Sequence, residues 1–70
     1  MHADGTISIR INGEHRRVRD GLTLAELVTE LGMAADGVIV ERNLEMVPRS
    51  TLATVAVQDG DELEMAPSVP

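Results

Sequence analysis

Short alternating runs separated by turn-forming pairs make up most of this chain. In residues 6–11, TISIRI, isoleucines occupy every second position, which predicts a strand with one buried face. Asn12-Gly13 follows and favours a two-residue hairpin, because both central residues of a type I′ turn need positive φ. Residues 14–18 are then the return strand. Their arginines predict a position at the sheet edge, where charge discourages further pairing.

One apolar stripe predicts a single main helix over residues 24–31. Its apolar positions recur at the i, i+3, i+4 and i+7 spacing of one helix face, and they are Leu24, Leu27, Val28 and Leu31. Thr23 and Glu26 match a capping box at the start of this helix. Gly32 suits the left-handed residue that ends many helices.

Three more strands are predicted, at residues 38–42, 44–47 and 62–66, the last with Leu63 and Met65 facing the core. Between them, residues 50–53 favour one turn of 3₁₀ or α-helix capped by Ser50. A hairpin, a helix and later strands indicate an α+β roll. We expect a mixed sheet of four to five strands packed on one main helix, with the other sheet face partly open.

The length and charge of the chain narrow its function. Seventy residues allow one domain, predicted over residues 1–70, with residues 1–5 and 67–70 flexible. The net charge of −6 argues against nucleic acid as a partner, because phosphate binding needs basic patches. It fits a basic protein partner, or solubility alone.

No apolar run approaches the roughly 18 residues of a membrane span. We therefore expect a cytoplasmic protein with no membrane partner. The charged edge strand further predicts a monomer when the protein is free.

Residues with catalytic or metal-binding chemistry do not converge in this sequence. Cysteine is absent, and His2 and His15 lack the spacing of metal ligands. A cluster of carboxylates near the last turn is typical of turn residues followed by a solvated strand face; it comprises Asp59, Asp61, Glu62 and Glu64. We predict no catalytic residue, no metal and no bound cofactor, and a protein that is not an enzyme.

Several segments resemble the ThiS family of sulfur-carrier proteins, in the same order and across nearly the whole chain. They are the opening strand with its turn, IRINGE, the helix LTLAELVTELG, the stretch VIVERNLEMVPRS and the stretch VQDGDELEM. The V-E-R-N, V-P-R-S and D-G-D-x-L-E segments are the more specific ones, although they mostly encode turns and core.

The resemblance implies a β-grasp, ubiquitin-like fold and a sulfur carrier for the thiazole of thiamin. In this family an E1-like adenylating enzyme (ThiF-like) uses ATP to activate the carboxylate of a Gly-Gly tail. Sulfur from a donor then replaces AMP, and the resulting thiocarboxylate passes to a thiazole synthase (ThiG-like). The resemblance therefore implies two enzyme partners, with ATP and the sulfur donor used by the partner enzyme.

The expected glycine pair has no counterpart, because Val69 is followed by Pro70. In this family the tail has to enter a narrow channel in each partner enzyme. Proline fixes φ and adds a ring, so Pro70 is a poor substitute for glycine there. Three interpretations stay open: a carrier cut short before its glycines, a non-conjugating β-grasp protein-interaction module, or a carrier completed in another way. A carrier for another metabolite, such as molybdopterin, is a further alternative. A small ligand-binding domain is disfavoured, because so short a chain encloses no sizeable pocket.

Two surfaces are predicted to bind partners. Strand alternation assigns Ile39, Glu41, Glu64 and Ala66 to the sheet face away from the helix. The tail supplies the remaining candidates, which are Pro67, Ser68, Val69 and Pro70.

Overall fold

The computed structural model describes residues 4–68, which form a five-stranded sheet packed on one helix. The strands are β1 (Thr6–Ile11), β2 (Glu14–Arg19), β3 (Val38–Arg42), β4 (Glu45–Val47) and β5 (Glu62–Pro67), and the helix is α1 (Leu24–Glu30). Single 3₁₀ turns occupy Ala35–Gly37 and Arg49–Thr51. The strand order is β2-β1-β5-β3-β4, with β1 and β5 parallel and the other pairs antiparallel. The predicted α+β roll with a mixed sheet is confirmed.

The core lies between α1 and one face of the sheet. Alternate residues of β1, β3 and β5 supply its strand side, and the helix supplies its apolar stripe. Apart from Asp61, the buried side chains are those of Ile, Leu, Val and Met, because the chain contains no aromatic residue. Each fully buried Leu, Ile or Val contributes about 1.5–3 kcal/mol. Packing therefore stabilises a helix of seven residues, which is too short to persist alone.

Both predicted capping motifs of the helix are confirmed, although α1 ends at Glu30, one residue before the predicted end. The Thr23 hydroxyl accepts a hydrogen bond from the Glu26 N–H, and the Glu26 carboxylate accepts one from the Thr23 N–H. The backbone N–H and hydroxyl of Thr23 thereby lower the pKa of Glu26. At the other end Gly32 has a φ of 82° and donates to the Thr29 carbonyl, while the Met33 N–H reaches Val28. This pairing is the Schellman motif.

Further boundary predictions need correction. The return strand β2 extends one residue past its predicted range, to Arg19. Ser50 is not a cap, because the second 3₁₀ turn begins after Pro48 and has no side-chain cap; the Thr51 hydroxyl donates to the Pro48 carbonyl. The strand predicted at residues 44–47 begins one residue later, since residue 44 lies in a turn. β5 continues to Pro67, which pairs with Val38. A proline is tolerated there because β1 pairs with β5 only at Glu62 and Leu63, so on that side position 67 has no neighbouring strand that needs its N–H.

The sheet order gives β5 a central position. It lies between β1 and β3, and the chain runs from it directly into the tail. The Ser68 N–H donates to the Gly37 carbonyl, so the described chain is bonded to its own body through residue 68. Flexibility of residues 1–5 and 67–70 stays a prediction.

Candidate docking surface

The sheet face opposite α1 is open and carries a mixed apolar and acidic surface. Register brings Ile39 opposite Ala66, and Glu41 opposite both Glu64 and Met46. Four apolar side chains lie close to three carboxylates in this region. We call it the open-face patch, and it comprises Ile39, Glu41, Leu44, Met46, Glu62, Glu64 and Ala66.

The structure brings four of the predicted site residues together in this patch. Ile39 is 40% exposed, Glu64 and Ala66 are exposed, and Glu41 is half-buried. They line one shallow groove together with Leu44. Their shared face was predictable from strand alternation alone. Their role in binding a partner stays a prediction.

The predicted tail residues lie at the end of the same surface. Pro67 is exposed as the last residue of β5, and Ser68 is half-buried with its N–H bonded to Gly37. Val69 and Pro70 lie outside the described residues. The part of the tail that the structure describes therefore begins where the open-face patch ends, directly after Ala66.

Sequence reasoning missed three members of the patch. Leu44 is 93% exposed and Met46 is 66% exposed, which makes them the most exposed large apolar residues of the described chain. Leu44 was predicted to begin a strand, but it lies at the tip of the β3–β4 hairpin with a φ of 72°. Glu62 was assigned to a solvated face but not to the site. The available signal was Asn43, whose tolerance of positive φ marks a turn.

The open face differs in charge between its β3–β5 side and its β1–β2 side. Glu41 and Glu64 are directly opposite each other, and within residues 4–68 neither forms an ion pair. Like charges in this arrangement are destabilising. On the β1–β2 half the corresponding cross-strand neighbours are Arg10 and His15. The apolar residues of the patch thus lie beside the acidic half.

Two turn asparagines hold β5 from opposite sides. The Asn12 side chain donates to the Met65 carbonyl at 3.1 Å and accepts from the Met65 N–H at 2.8 Å, as a neighbouring strand would. The Asn43 side chain accepts from the Glu62 N–H at 3.0 Å, and the backbone N–H of Asn43 donates to the Glu62 carbonyl. The strand that leads to the tail is therefore fixed at both ends.

Asp61 is the one buried charged residue among those described. Its carboxylate forms an ion pair with Arg42 at 3.4 Å and accepts bonds from the Asn43 side chain and the Gln58 N–H. We predicted it to be a simple turn residue. It instead joins the last turn to the β3–β4 hairpin, and these three partners explain how its charge is tolerated in the interior.

Other chemistry is not assembled in the part of the chain that the structure describes. No group of three or more His, Asp or Glu residues could hold a metal ion. His15 is exposed on β2, and His2 lies outside the described residues. None of the described helices is long and apolar enough to cross a membrane.

Comparison with known proteins shows the family to which this chain belongs. The sequence model of the ThiS family matches residues 9–69. The chain belongs to the ThiS family. The crystal structure of the thiamine biosynthesis protein ThiS from Geobacter metallireducens superposes with a TM-score of 0.76 at 31% identity, covering 91% of this chain and 97% of that one. The predicted ThiS-family, ubiquitin-like fold is thereby confirmed.

A second solved structure supports the ubiquitin-like fold alone. It is the solution NMR structure of a designed protein based on human ubiquitin, with a TM-score of 0.53 at 14% identity over 94% of each chain.

The curated relatives are longer proteins. A thiazole synthase from Paramagnetospirillum magneticum is 53% identical over 55 residues, which are 79% of this chain and 17% of that protein. A thiazole synthase from Magnetococcus marinus is 39% identical over 59 residues, or 84% of this chain and 18% of that protein. This ThiS chain thus spans less than a fifth of the length of these relatives.

Proposed function

We propose that this ThiS chain carries sulfur for thiazole formation as a cytoplasmic protein substrate that other enzymes act on. Family membership over residues 9–69 is the observation that supports this function most directly. A carrier needs a stable body and a projecting end, and no catalytic constellation of its own. The described residues fit that requirement, because β5 runs from the centre of the sheet past an exposed patch into the tail.

The chemistry would belong to the partner enzymes. An E1-like adenylating enzyme would use ATP to convert a carboxylate of the tail into an acyl-adenylate, with release of pyrophosphate. A sulfur donor at the oxidation level of sulfide would then displace AMP and leave a thiocarboxylate. The carrier would contribute the reacting end and the surface by which the enzyme holds it.

The thiazole synthase is the partner for which the comparisons offer support. Segments similar to this chain lie within longer proteins that are named thiazole synthase. Two functions joined in one polypeptide commonly act on each other. The open-face patch supplies a suitable docking surface, because it combines exposed Ile39 and Met46 with carboxylates that form no ion pair within residues 4–68, and so matches an apolar, basic partner.

A second function is supported by the exposed apolar and acidic side chains of the open-face patch, which can bind a partner without any tail chemistry. The same body without the covalent step would be a protein-interaction module, in which the open-face patch alone performs the function. A carrier for a different sulfur-containing metabolite would use the same surface and the same tail chemistry.

Intact-mass analysis separates these functions. The full natural protein is incubated with ATP, the adenylating enzyme and a sulfur donor, beside a variant with Gly-Gly appended after Pro70. Exchange of one carboxylate oxygen for sulfur in the natural protein supports the carrier. A mass gain only in the extended variant shows that the body is competent and that glycines are required. No gain in either sample rejects sulfur carriage.

The docking surface is tested by Ala66→Arg. Ala66 is exposed near the end of β5, at the border of the patch closest to the tail. An arginine side chain there disrupts docking without disturbing the core. We expect affinity for the adenylating enzyme to fall at least about tenfold in calorimetric titration. Ala53→Arg, at an exposed position outside the patch, is the matched control and leaves affinity unchanged. Equal affinities of both variants for the adenylating enzyme would exclude this face as the surface that docks on that enzyme.

A further inference from the structure

Leu44 adopts a backbone conformation that leucine normally avoids. It follows Asn43 in a two-residue turn between β3 and β4, with φ values of 51° and 72°. The first hairpin contains the same pair of conformations, at 51° and 83°, and there the second residue is Gly13. Glycine takes positive φ without steric cost, whereas a leucine side chain crowds its own backbone. Folding of this turn therefore does not require Leu44 and is opposed by it.

Burial does not compensate for that strain. Leu44 is 93% exposed, so its side chain contributes almost no apolar burial to the isolated domain. It borders two shallow grooves on the open face, one with Ile39 and Ala66 and the other with Glu62 and Glu64. The strained tip thus presents an apolar side chain beside the carboxylates of Glu62 and Glu64.

We propose that Leu44 is the anchor residue of the open-face patch and inserts into an apolar pocket of the thiazole synthase whose mouth carries arginine or lysine. The inference rests on the proposed function and names the contact that would dominate docking. Binding energy at an interface is concentrated in a few side chains that become fully desolvated, while the surrounding contacts exclude water. Leu44 is the described side chain with most apolar surface left to bury.

The charges around Leu44 indicate the chemistry of the pocket. Glu62 and Glu64 border the groove beside Leu44, and Glu62 lies opposite Arg10 of β1. Glu41 lies opposite Glu64, and neither of these two forms an ion pair within the described chain. Such an arrangement lowers the stability of the free carrier and is relieved when cations approach. The thiazole synthase is chosen over the adenylating enzyme because relatives with that name contain a segment like this one.

Two substitutions separate the leucine side chain from the strained backbone. Leu44→Ala removes the anchor and keeps a non-glycine residue at positive φ. Leu44→Gly removes the anchor and also relieves the strain. We expect both to weaken binding to purified thiazole synthase from the same organism about thirtyfold. Only Leu44→Gly should raise the midpoint of urea unfolding. Leu44→Met, which keeps an apolar side chain of similar length, should retain most of the affinity.

Gly13→Leu provides the matched control. It places the same side chain in the same conformation at the other hairpin, where an added Cβ meets nothing within 4 Å. We expect this variant to lower the unfolding midpoint and to leave affinity unchanged. Weaker binding together with higher stability in Leu44→Gly would identify a contact kept for docking at the expense of folding.

Three results would overturn the inference. The first is unchanged affinity of Leu44→Ala and Leu44→Gly for the thiazole synthase. The second is no detectable binding of the natural protein to that enzyme, and the third is a loss confined to the adenylating enzyme. Thiocarboxylate formation, measured by intact mass on the same samples, reports the proposed function separately. A normal mass gain beside any of these results leaves sulfur carriage intact and removes only the role of Leu44.

Discussion

The two hairpin turns of this ThiS chain share one backbone shape and differ in the residue at the tip. Both join antiparallel strands through two residues of positive φ, and both begin with asparagine at 51°. The first turn then has Gly13, with open space around it, and the second has Leu44, which is almost fully exposed. Because the geometry is the same, the requirements of the turn do not explain the difference. The comparison separates a residue that serves folding from one that serves another purpose.

The asparagines make the comparison stronger, because each one grips β5. Asn12 binds the backbone of Met65, and Asn43 binds the backbone of Glu62. The second turn has an additional anchor, since the Asn43 amide also donates to the buried carboxylate of Asp61 at 3.2 Å. The first turn depends on backbone partners alone. Loss of side chains at the two turns should therefore have different consequences.

Asp61→Ala should have the largest effect on stability, at a cost of about 2–3 kcal/mol. It leaves the Arg42 guanidinium, the Asn43 amide and the Gln58 N–H without their shared acceptor. Urea unfolding measures the loss, and NMR should show changed side-chain amide resonances for Asn43 but not for Asn12. Asp59→Ala, at an exposed position of the same loop where the carboxylate accepts from the Ser8 N–H, is the comparison and should cost less. Equal losses would contradict a special anchor for the second turn.

Asn12→Gly should cost about 1–2 kcal/mol, because it removes both bonds to Met65 while keeping the left-handed turn accessible. Asn12→Asp keeps the acceptor for the Met65 N–H and should lose less. Hydrogen exchange should accelerate at the Met65 amide in Asn12→Gly and at the Glu62 amide in Asn43→Gly. The reverse assignment, or exchange that rises equally at both amides, would show that the two turns do not hold separate ends of β5.

Gly13→Leu should destabilise the domain by about 1–2 kcal/mol, because leucine at positive φ crowds its own backbone. The cost is conformational, since an added Cβ at Gly13 has no neighbour within 4 Å. Urea unfolding of Gly13→Leu and Leu44→Gly should give changes of opposite sign and similar size. A neutral Gly13→Leu would mean that leucine is not strained in this turn, and the contrast between the two hairpins would disappear.

Features fixed by neighbouring residues were predictable from the sequence. The Thr23–Glu26 capping box and the Asn12-Gly13 turn depend on residues within four positions of each other, and both are confirmed. The open face was predictable as far as strand alternation extends. It identified four patch residues, including Ile39 and Ala66.

Features created by distant contacts were not predictable. Asn12 finds Met65 at a separation of 53 residues, and Asp61 is buried only because the sheet order brings Arg42 and Asn43 to it. Leu44 was assigned to a strand because an apolar residue before Glu45 continues the alternating pattern. Glycine is the usual residue at the second position of such a turn, so a leucine there gave no sign that the chain turns. Of the three patch residues that were missed, only Leu44 violates a local rule, whereas Met46 and Glu62 follow strand alternation and could have been found from it.

Glu64→Gln should have the smallest effect and sharpens the electrostatic side of the comparison. Glu64 faces Glu41 beside the second turn, so removal of one charge should stabilise the domain by about 0.2–1 kcal/mol at low salt. Glu14→Gln, just after the first turn and opposite Ile11, removes a charge without relieving such a pair. Urea unfolding at low and high ionic strength measures both, and salt should shrink the gain in Glu64→Gln. An equal gain in Glu14→Gln would mean that the net charge of −6 matters and that the opposed pair does not. A gain confined to Glu64→Gln, together with weaker docking, would show that the second hairpin sacrifices stability in its charges as well as in its backbone.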